Sequence, residues 1–251
     1  MIDFPIEKIL TETEKFGITL TEKQITNLNT YANLLVSWNE KMNLTAITEP
    51  EEVVWKHFYD CMLFFKYVNV PRNAKIIDVG TGAGFPGMVL KIVREDIELT
   101  LLDGLNKRLV FLKEVLDSLG LSANVVHLRA EEGGKKVELR EQYDFAVARA
   151  VANMNLLSEY CLPYVKKGGS FVALKGPTGN EEANNAKKAP ITVTTMKAIC
   201  RFTKKYKKSV CRSCFIQEPT VPTAPIYCIA VRYWKTWRLK DWMPLPGRFL
   251  I

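Results

Sequence analysis

The sequence has only two histidines in 251 residues, His57 and His127, and nowhere runs to about 18 consecutive apolar residues. The missing apolar run excludes a membrane-spanning helix, and the shortage of histidine leaves no obvious nucleophile and base pair; no metal is expected. The amino terminus, Met1-Ile-Asp-Phe-Pro-Ile-Glu-Lys8, carries acids early and lacks an apolar stretch of signal-peptide length, so a cytoplasmic protein is expected. Glycine (14) and proline (12) are too few for a collagen-like chain, and 47% hydrophobic with 25% charged residues excludes disorder. Cysteine is sparse in the body of the chain, where Cys61 and Cys161 stand far apart and are expected to be reduced and buried. The length suffices for one α/β domain with a smaller helical cap.

What is abundant is positive charge, with 35 Lys+Arg against 27 Asp+Glu and a formal net charge of +8. Residues 1–185 hold 21 basic and 25 acidic side chains, a balance of −4, whereas residues 186–251 hold 14 basic and 2 acidic, a balance of +12. The excess therefore belongs to the tail, which also carries Cys200, Cys211, Cys214, Cys228, Trp234, Trp237 and Trp242. Net charge bears on association with an acidic partner such as RNA rather than on fold. Composition changes abruptly near Pro190, and a seam is drawn there.

Three segments follow. Residues 1–67 form a helical amino-terminal cap. One helix is expected from Ile6 to Phe16 and ends at Gly17. A second is opened by the capping box Thr21-Glu-Lys-Gln24 and carries Leu28, Tyr31, Leu35, Trp38 and Met42 on one face. A third follows Pro50, with Val53, Val54, His57, Phe58, Cys61 and Phe64 together. Residues 68–189 read as strands alternating with helices: strands at Lys75–Val79, Glu98–Asp103, Asn124–Leu128, Tyr143–Ala148 and Ser170–Leu174, and helices at Gly87–Val93, Lys107–Leu119 and Asn153–Val165. Five such strands imply an α/β, doubly wound, Rossmann-like sheet with ligands at the carboxyl ends of its strands. Residues 190–251 form an atypical basic segment. It is strand-prone only at Ile226–Trp234 and broken elsewhere by prolines.

The chemistry concentrates where the first strand meets its helix, at Asp78-Val-Gly80-Thr-Gly82-Ala-Gly84-Phe85-Pro-Gly87. Glycines there permit a tight turn and close approach of a ligand to backbone amides. A dinucleotide fingerprint needs a third glycine five residues after the first, and Phe85 stands in that place, so a nicotinamide oxidoreductase ranks last. S-adenosylmethionine has no pyrophosphate, and its loop tolerates a bulky side chain there. Asp103, closing the second strand, suits ribose hydroxyls, with a helix N-cap as the alternative role.

At these residues the chain resembles the RsmG (GidB) family of bacterial small-subunit ribosomal RNA methyltransferases. The resemblance rests on Trp38-Asn-Glu-Lys-Met-Asn-Leu-Thr45, His57-Phe-Tyr-Asp60, the glycine loop, Leu102-Asp-Gly-Leu-Asn-Lys-Arg108, Arg129-Ala-Glu-Glu132, Ala148-Arg-Ala-Val151 and Leu174-Lys-Gly176, in order across about residues 10–188. It implies a Rossmann-like methyltransferase sheet, S-adenosylmethionine as cofactor, and methyl transfer to N7 of one guanine in 16S rRNA, with free rRNA or the 30S subunit as partner to a monomeric enzyme. The family's cofactor contacts fall on Gly80, Phe85, Ala130, Glu131 and Arg149, beside Gly82 and Asp103 from the loop reading. Cys61 and Gly104 replace family serines. Beyond Pro190 the family's helix, two strands and basic tail are not recognisable, and the segment is expected to be read in a shifted frame, leaving the fifth strand as a bare hydrophobic edge.

Guanine N7 has an in-plane lone pair and no proton, so its methylation needs alignment rather than a general base, and no catalytic base is nominated. Arg149 and Lys175, at carboxyl ends of strands, are the candidates for contact with RNA phosphate or the target base, with a plain surface cation or a strand-end ion pair as the competing roles. Lys107 and Arg108 follow Asp103 and are equally suited to a plain surface role. His57 reads as a packing residue, and His127 has no evident partner. Cys211-Arg-Ser-Cys214 has zinc-knuckle spacing without a second pair and reads as incidental. The Trp234, Trp237 and Trp242 group could stack on single-stranded RNA, but a segment foreign to the fold accounts for it better. The rival functions are methylation of a small molecule or protein, and a non-catalytic RNA-binding or ribosome-assembly role.

Overall fold

The computed structural model describes residues 2–186, 196–198 and 227–232. Cys200, Cys211, Cys214, Trp234, Trp237 and Trp242 lie outside the described residues. The cap consists of α1 (Glu7–Glu14), α2 (Glu22–Asn39), a short α3 (Pro50–Glu52), a π-helical stretch (Val53–Tyr59) and α4 (Asp60–Tyr67). The capping box of α2 forms in both directions. The Thr21 hydroxyl oxygen accepts from the Gln24 amide, and the Gln24 side chain accepts from the Thr21 amide at 2.8 Å. The helix stops at Asn39 because its side-chain oxygen accepts from the amides of Leu44 (2.8 Å) and Thr45 (2.9 Å), turning the chain back. Leu28, Tyr31 and Leu35 are buried on the expected face.

The remainder alternates: β1 (Lys75–Val79), α5 (Gly87–Val93), β2 (Glu98–Asp103), α6 (Asn106–Leu119), β3 (Asn124–His127), α7 (Ala130–Gly133), β4 (Tyr143–Arg149), α8 (Met154–Cys161), β5 (Val165–Lys175), α9 (Gly179–Ala186), β6 (Met196–Ala198) and β7 (Tyr227–Arg232). The sheet order is β3-β2-β1-β4-β5-β7-β6. Pairing is parallel from β3 through β5 and antiparallel where β7 joins β5 and β6 joins β7. The strand order reverses between β1 and β4, and that switch point is where the sheet opens a crevice for a ligand. The doubly wound α/β fold expected from the sequence is present.

Two boundaries and one sheet edge differ materially from expectation. The helix expected over Asn153–Val165 ends at Cys161, because Pro163 has no amide hydrogen to continue it; Leu162–Tyr164 form a single tighter turn and Val165 already belongs to β5. That early strand is joined to the expected one through a bulge. Tyr143 pairs with Val165 and Phe145 with Ser170, and Gly168 supplies the left-handed turn at φ +84°. Nor is β5 a bare edge: β7 pairs along it from Ser170↔Arg232 to Lys175↔Tyr227, so the strand-prone stretch near Ile226 covers the apolar strand.

One hydrophobic cluster runs unbroken from the cap into the sheet, joining Ile9, Leu28, Tyr31, Phe58 and Phe64 to Phe85, Met88, Phe111, Leu112, Val147 and Val172. Tyr31 lies at its centre, fully buried, with its ring 5.4 Å from Phe85 and 5.9 Å from Phe58. Its hydroxyl donates to the Ala83 carbonyl at 2.5 Å, so cap and glycine loop meet directly.

Gly84 sits in that contact at φ +101°, where a Cβ would lie 2.6 Å from the Tyr31 hydroxyl, 2.7 Å from Met88 Cγ and 2.8 Å from Leu112 Cδ2. Gly84→Ala is expected to lower stability by about 3 kcal/mol through overpacking and a left-handed backbone. Gly120→Ala, at φ +62° with nothing within 4 Å, should lose only about 1 kcal/mol. Denaturant unfolding of the two variants checks this, and equal losses would show that the cap does not press on the loop.

Candidate functional site

The glycine loop is shaped by two carboxylates. Asp78, near the end of β1, is fully buried, and its Oδ2 accepts from the Thr81 hydroxyl (2.7 Å) and the Gly87 amide (2.8 Å). One oxygen thus spans both ends of the loop. Asp103, at the end of β2, accepts from the Gly82 amide through Oδ2 (2.9 Å) and from the Leu105 amide through Oδ1 (2.8 Å). The amides of Gly80 and Thr81 donate to the Leu102 carbonyl at 2.8 and 3.0 Å, completing the clamp on the end of β2. Gly80 and Gly82 hold φ near +69° and +60°, which a side chain at either position would resist. At Gly80 a Cβ would also meet Val151 Cγ2 at 2.9 Å, whereas at Gly82 it would face open space, with only the Gly80 carbonyl at 3.9 Å.

The structure brings the expected residues to one edge of the sheet. Gly80, Gly82 and Phe85 lie in the loop after β1, and Asp103 closes β2. Ala130 and Glu131 open α7 just after β3, where the Ala130 carbonyl accepts from the Tyr164 hydroxyl at 2.6 Å. Arg149 ends β4. Arg108 approaches Asp103 at 3.5 Å, and Lys107 is exposed. Asp103 does not cap α6 in the ordinary way; it bridges that helix's entry to the glycine loop.

Lys175 departs from the expected substrate contact. Its ammonium donates to the Ala152 carbonyl at 2.5 Å and pairs with Glu182 at 2.8 Å, and the side chain is 9% exposed. Glu182 also accepts from the Met154 amide (3.1 Å). Lys175 therefore ties β5, α8 and α9 together in the strand-end ion pair that was one of its competing roles.

Arg149 is differently placed. One terminal nitrogen is 2.6 Å from His57 Nδ1, the other donates to Cys61 Sγ at 3.4 Å, and the guanidinium lies 5.4 Å from the Phe85 ring centroid. Among the described residues it forms no ion pair, so its charge is not directly neutralised. The groups around it hold their neutral forms. Burial, then the charge of Arg149, pushes His57 down to about 3. Burial pushes the Cys61 thiol up to about 12, and burial likewise raises Asp60 to about 8 against the pull of Arg149. Burial raises Asp78 to about 7, despite its two donors, and holds the Tyr31 hydroxyl well above its usual range.

Two of these groups were not nominated from sequence. Tyr31 looked like any core residue of an amphipathic helix, and only its hydroxyl contact reveals a link to the loop. Asp78 was visible in the motif, but its unmet valence was not: Oδ1 is buried with no hydrogen-bond partner. That unmet acceptor beneath the glycines suits an ammonium group and opposes a pyrophosphate. With the open face at Gly82 and the acid at Asp103, the residues present fit the amino-acid and ribose parts of S-adenosylmethionine.

Asp78→Asn keeps an oxygen for Thr81 and Gly87 while removing the charge and the acceptor at Oδ1. Calorimetry is expected to show cofactor affinity reduced by about 1.5–3 kcal/mol with little change in melting temperature; unchanged affinity would overturn this assignment. The raised carboxyls also set a pH dependence. Each stabilises the fold fully when protonated, below its unfolded value of 3.8, and that contribution is lost as pH rises through about 7 for Asp78 and about 8 for Asp60. Urea unfolding of the cofactor-free protein should show stability falling across that window, and Asp60→Asn should flatten its upper part. An unaltered profile would refute the Asp60 contribution.

Comparison with known proteins gives the family. Residues 24–211 match the family GidB, described as rRNA small subunit methyltransferase G. The ribosomal RNA small subunit methyltransferase G of Clostridium perfringens (strain 13 / Type A) is 54% identical over 177 residues, covering 70% of this chain and 74% of that one. That of Alkaliphilus metalliredigens (strain QYMF) is 52% identical over 187 residues, covering 74% and 78%. Among solved structures, a SAM-dependent O-methyltransferase from Thermotoga maritima aligns with a TM-score of 0.50 at 18% identity, covering 81% of this chain and 72% of that one, a likeness of fold alone. The glycine loop, its two carboxylates and the strand-end arginine thus sit in a chain that belongs to the GidB family, the S-adenosylmethionine-dependent rRNA small subunit methyltransferases G.

Proposed function

We propose that this chain transfers a methyl group from S-adenosylmethionine to N7 of a guanine in 16S ribosomal RNA. The observation that carries the choice of atom is the hydrogen bonding around Arg149, whose guanidinium occupies His57 Nδ1 and Cys61 Sγ as acceptors. His57 has both ring nitrogens engaged, and burial pushes the Cys61 thiol and the Asp60 carboxyl toward their protonated forms. None of these three side chains offers a free, populated base beside Arg149. Exocyclic amino groups and hydroxyls must lose a proton on methylation, whereas guanine N7 presents a lone pair and none. The bound cofactor supplies an electrophilic methyl on a sulfonium.

The protein's part is placement. Asp78 and the loop amides hold the cofactor's amino-acid end, Asp103 its ribose, and Ala130–Glu131 border the adenine side. Arg149 has five N–H donors, of which two are engaged within the protein, so donors remain for a phosphate or for the base. Fixing the reacting atoms in line removes much of the entropic part of the barrier. Among the described residues no helix is long and apolar enough to cross a membrane. The proposal places the enzyme in the cytoplasm as a monomer acting on 16S rRNA, free or within the 30S subunit.

The test is transfer of labelled methyl to free 16S rRNA and to 30S particles lacking the modification, followed by nucleoside analysis. The expected product is 7-methylguanosine. Arg149→Ala should lower the transfer rate roughly 100-fold at cofactor concentrations that saturate the variant. Label in any other nucleoside, or undiminished transfer by the variant, would reject the proposal.

A further inference from the structure

The π-helical stretch Val53–Tyr59 carries a buried histidine, 5% exposed, whose surroundings exceed what packing requires. His57 stacks on Phe85 of the glycine loop, with ring centroids 4.3 Å apart and planes 20° from parallel. Its Nδ1 is 2.6 Å from Arg149 Nη2, and its Nε2 is 2.9 Å from Thr45 Oγ1. An arginine in a protein does not give up its proton, so Arg149 is the donor and Nδ1 must be bare. The single ring proton then sits on Nε2 and is donated to Thr45. That hydroxyl oxygen is held in place by the Ile47 amide at 3.0 Å, and Thr45 itself is anchored through its own amide to the Asn39 side chain.

From this arrangement we infer that His57 is a positioning residue for methyl transfer: its bare Nδ1, fixed by Thr45 on the far side of the ring, holds the Arg149 guanidinium beside Phe85 at the mouth of the site. The inference rests on the reading that Arg149 faces the substrate. Its physical content is directional. A tetherless arginine side chain samples many rotamers, and its remaining donors would meet an acceptor in varied directions. The ring supplies one acceptor at a fixed angle, the Phe85 face limits sideways movement, and Cys61 Sγ accepts from the other arm. A neutral acceptor also leaves the positive charge available to the substrate, which a carboxylate in the same place would neutralise. The tether originates in the cap. Asn39, Thr45 and His57 all precede the first strand, so the cap sets the orientation of a residue on β4.

The two ring nitrogens can be separated by substitution. Asparagine places its side-chain oxygen near the position of Nδ1, and glutamine reaches the position of Nε2. His57→Asn should keep kcat for rRNA within about tenfold of the parent, whereas His57→Gln and His57→Ala should lose roughly 100-fold, with melting temperatures lowered to a similar degree in all three. Equal losses for Asn and Gln, or full activity in the Ala variant, would overturn the inference. Nitrogen-15 NMR of the unsubstituted protein provides a readout independent of activity. His57 should show an unprotonated Nδ1 and a protonated Nε2 between pH 5 and 8, and Arg149→Ala should shift the Nδ1 signal. The opposite tautomer, or signals insensitive to Arg149→Ala, would also overturn it. If the unsubstituted enzyme methylates no rRNA, the proposed function falls, and the NMR result still decides whether His57 holds Arg149.

Discussion

Everything at the carboxyl edge of the sheet depends on one oxygen of one buried carboxyl group. Asp78 Oδ2 accepts from Thr81 at the start of the glycine loop and from Gly87 at its end, so a loop of glycines, with little conformational preference of its own, is held in a single shape. That shape fixes the Ala83 carbonyl, which the Tyr31 hydroxyl reaches from the cap, and the Phe85 ring, on which His57 and Arg149 rest. Burial raises the protonation range of this carboxyl, and the second oxygen is left without a donor. Such a group is costly in an isolated fold and acceptable where a ligand completes it.

The sheet and its edge were legible because parallel strands buried on both faces read as short continuous apolar runs. An acid or glycine at the end of such a run marks where the backbone turns. Asp78, Gly80, Gly82 and Asp103 lie at such ends. The π-helix was not legible, since its extra residue per turn leaves the apolar face of Val53 to Phe64 nearly as an α-helix would. Nor was the fate of Lys175: a lysine at a strand end looks the same whether it faces an RNA or a glutamate seven residues later in the chain, and only the docking of α9 brings Glu182 within 2.8 Å. The covering of β5 by β7 depends on pairing across more than fifty intervening residues, which local patterning does not encode.

Charge reads differently at the level of the molecule and of the site. The net excess of basic residues lies in the last quarter of the sequence, while the part that forms the site is slightly acidic. Within that part the cation of interest is a half-buried arginine whose protein partners are an imidazole nitrogen and a thiol. Where histidine is scarce, one of only two is committed as a neutral acceptor.

The space that Gly84 leaves empty belongs to three elements at once, since Tyr31 from α2, Met88 from α5 and Leu112 from α6 all converge on it. These positions are distant in sequence, yet their side chains meet at one point that has no room for a further carbon. A side chain added at the glycine would press on all three, so the cap, the cofactor loop's helix and α6 share one packing constraint. The packing of the cap is thereby coupled to that of the cofactor loop, and an exchange of the cap for one of different shape would bring a mismatch at this one crowded point.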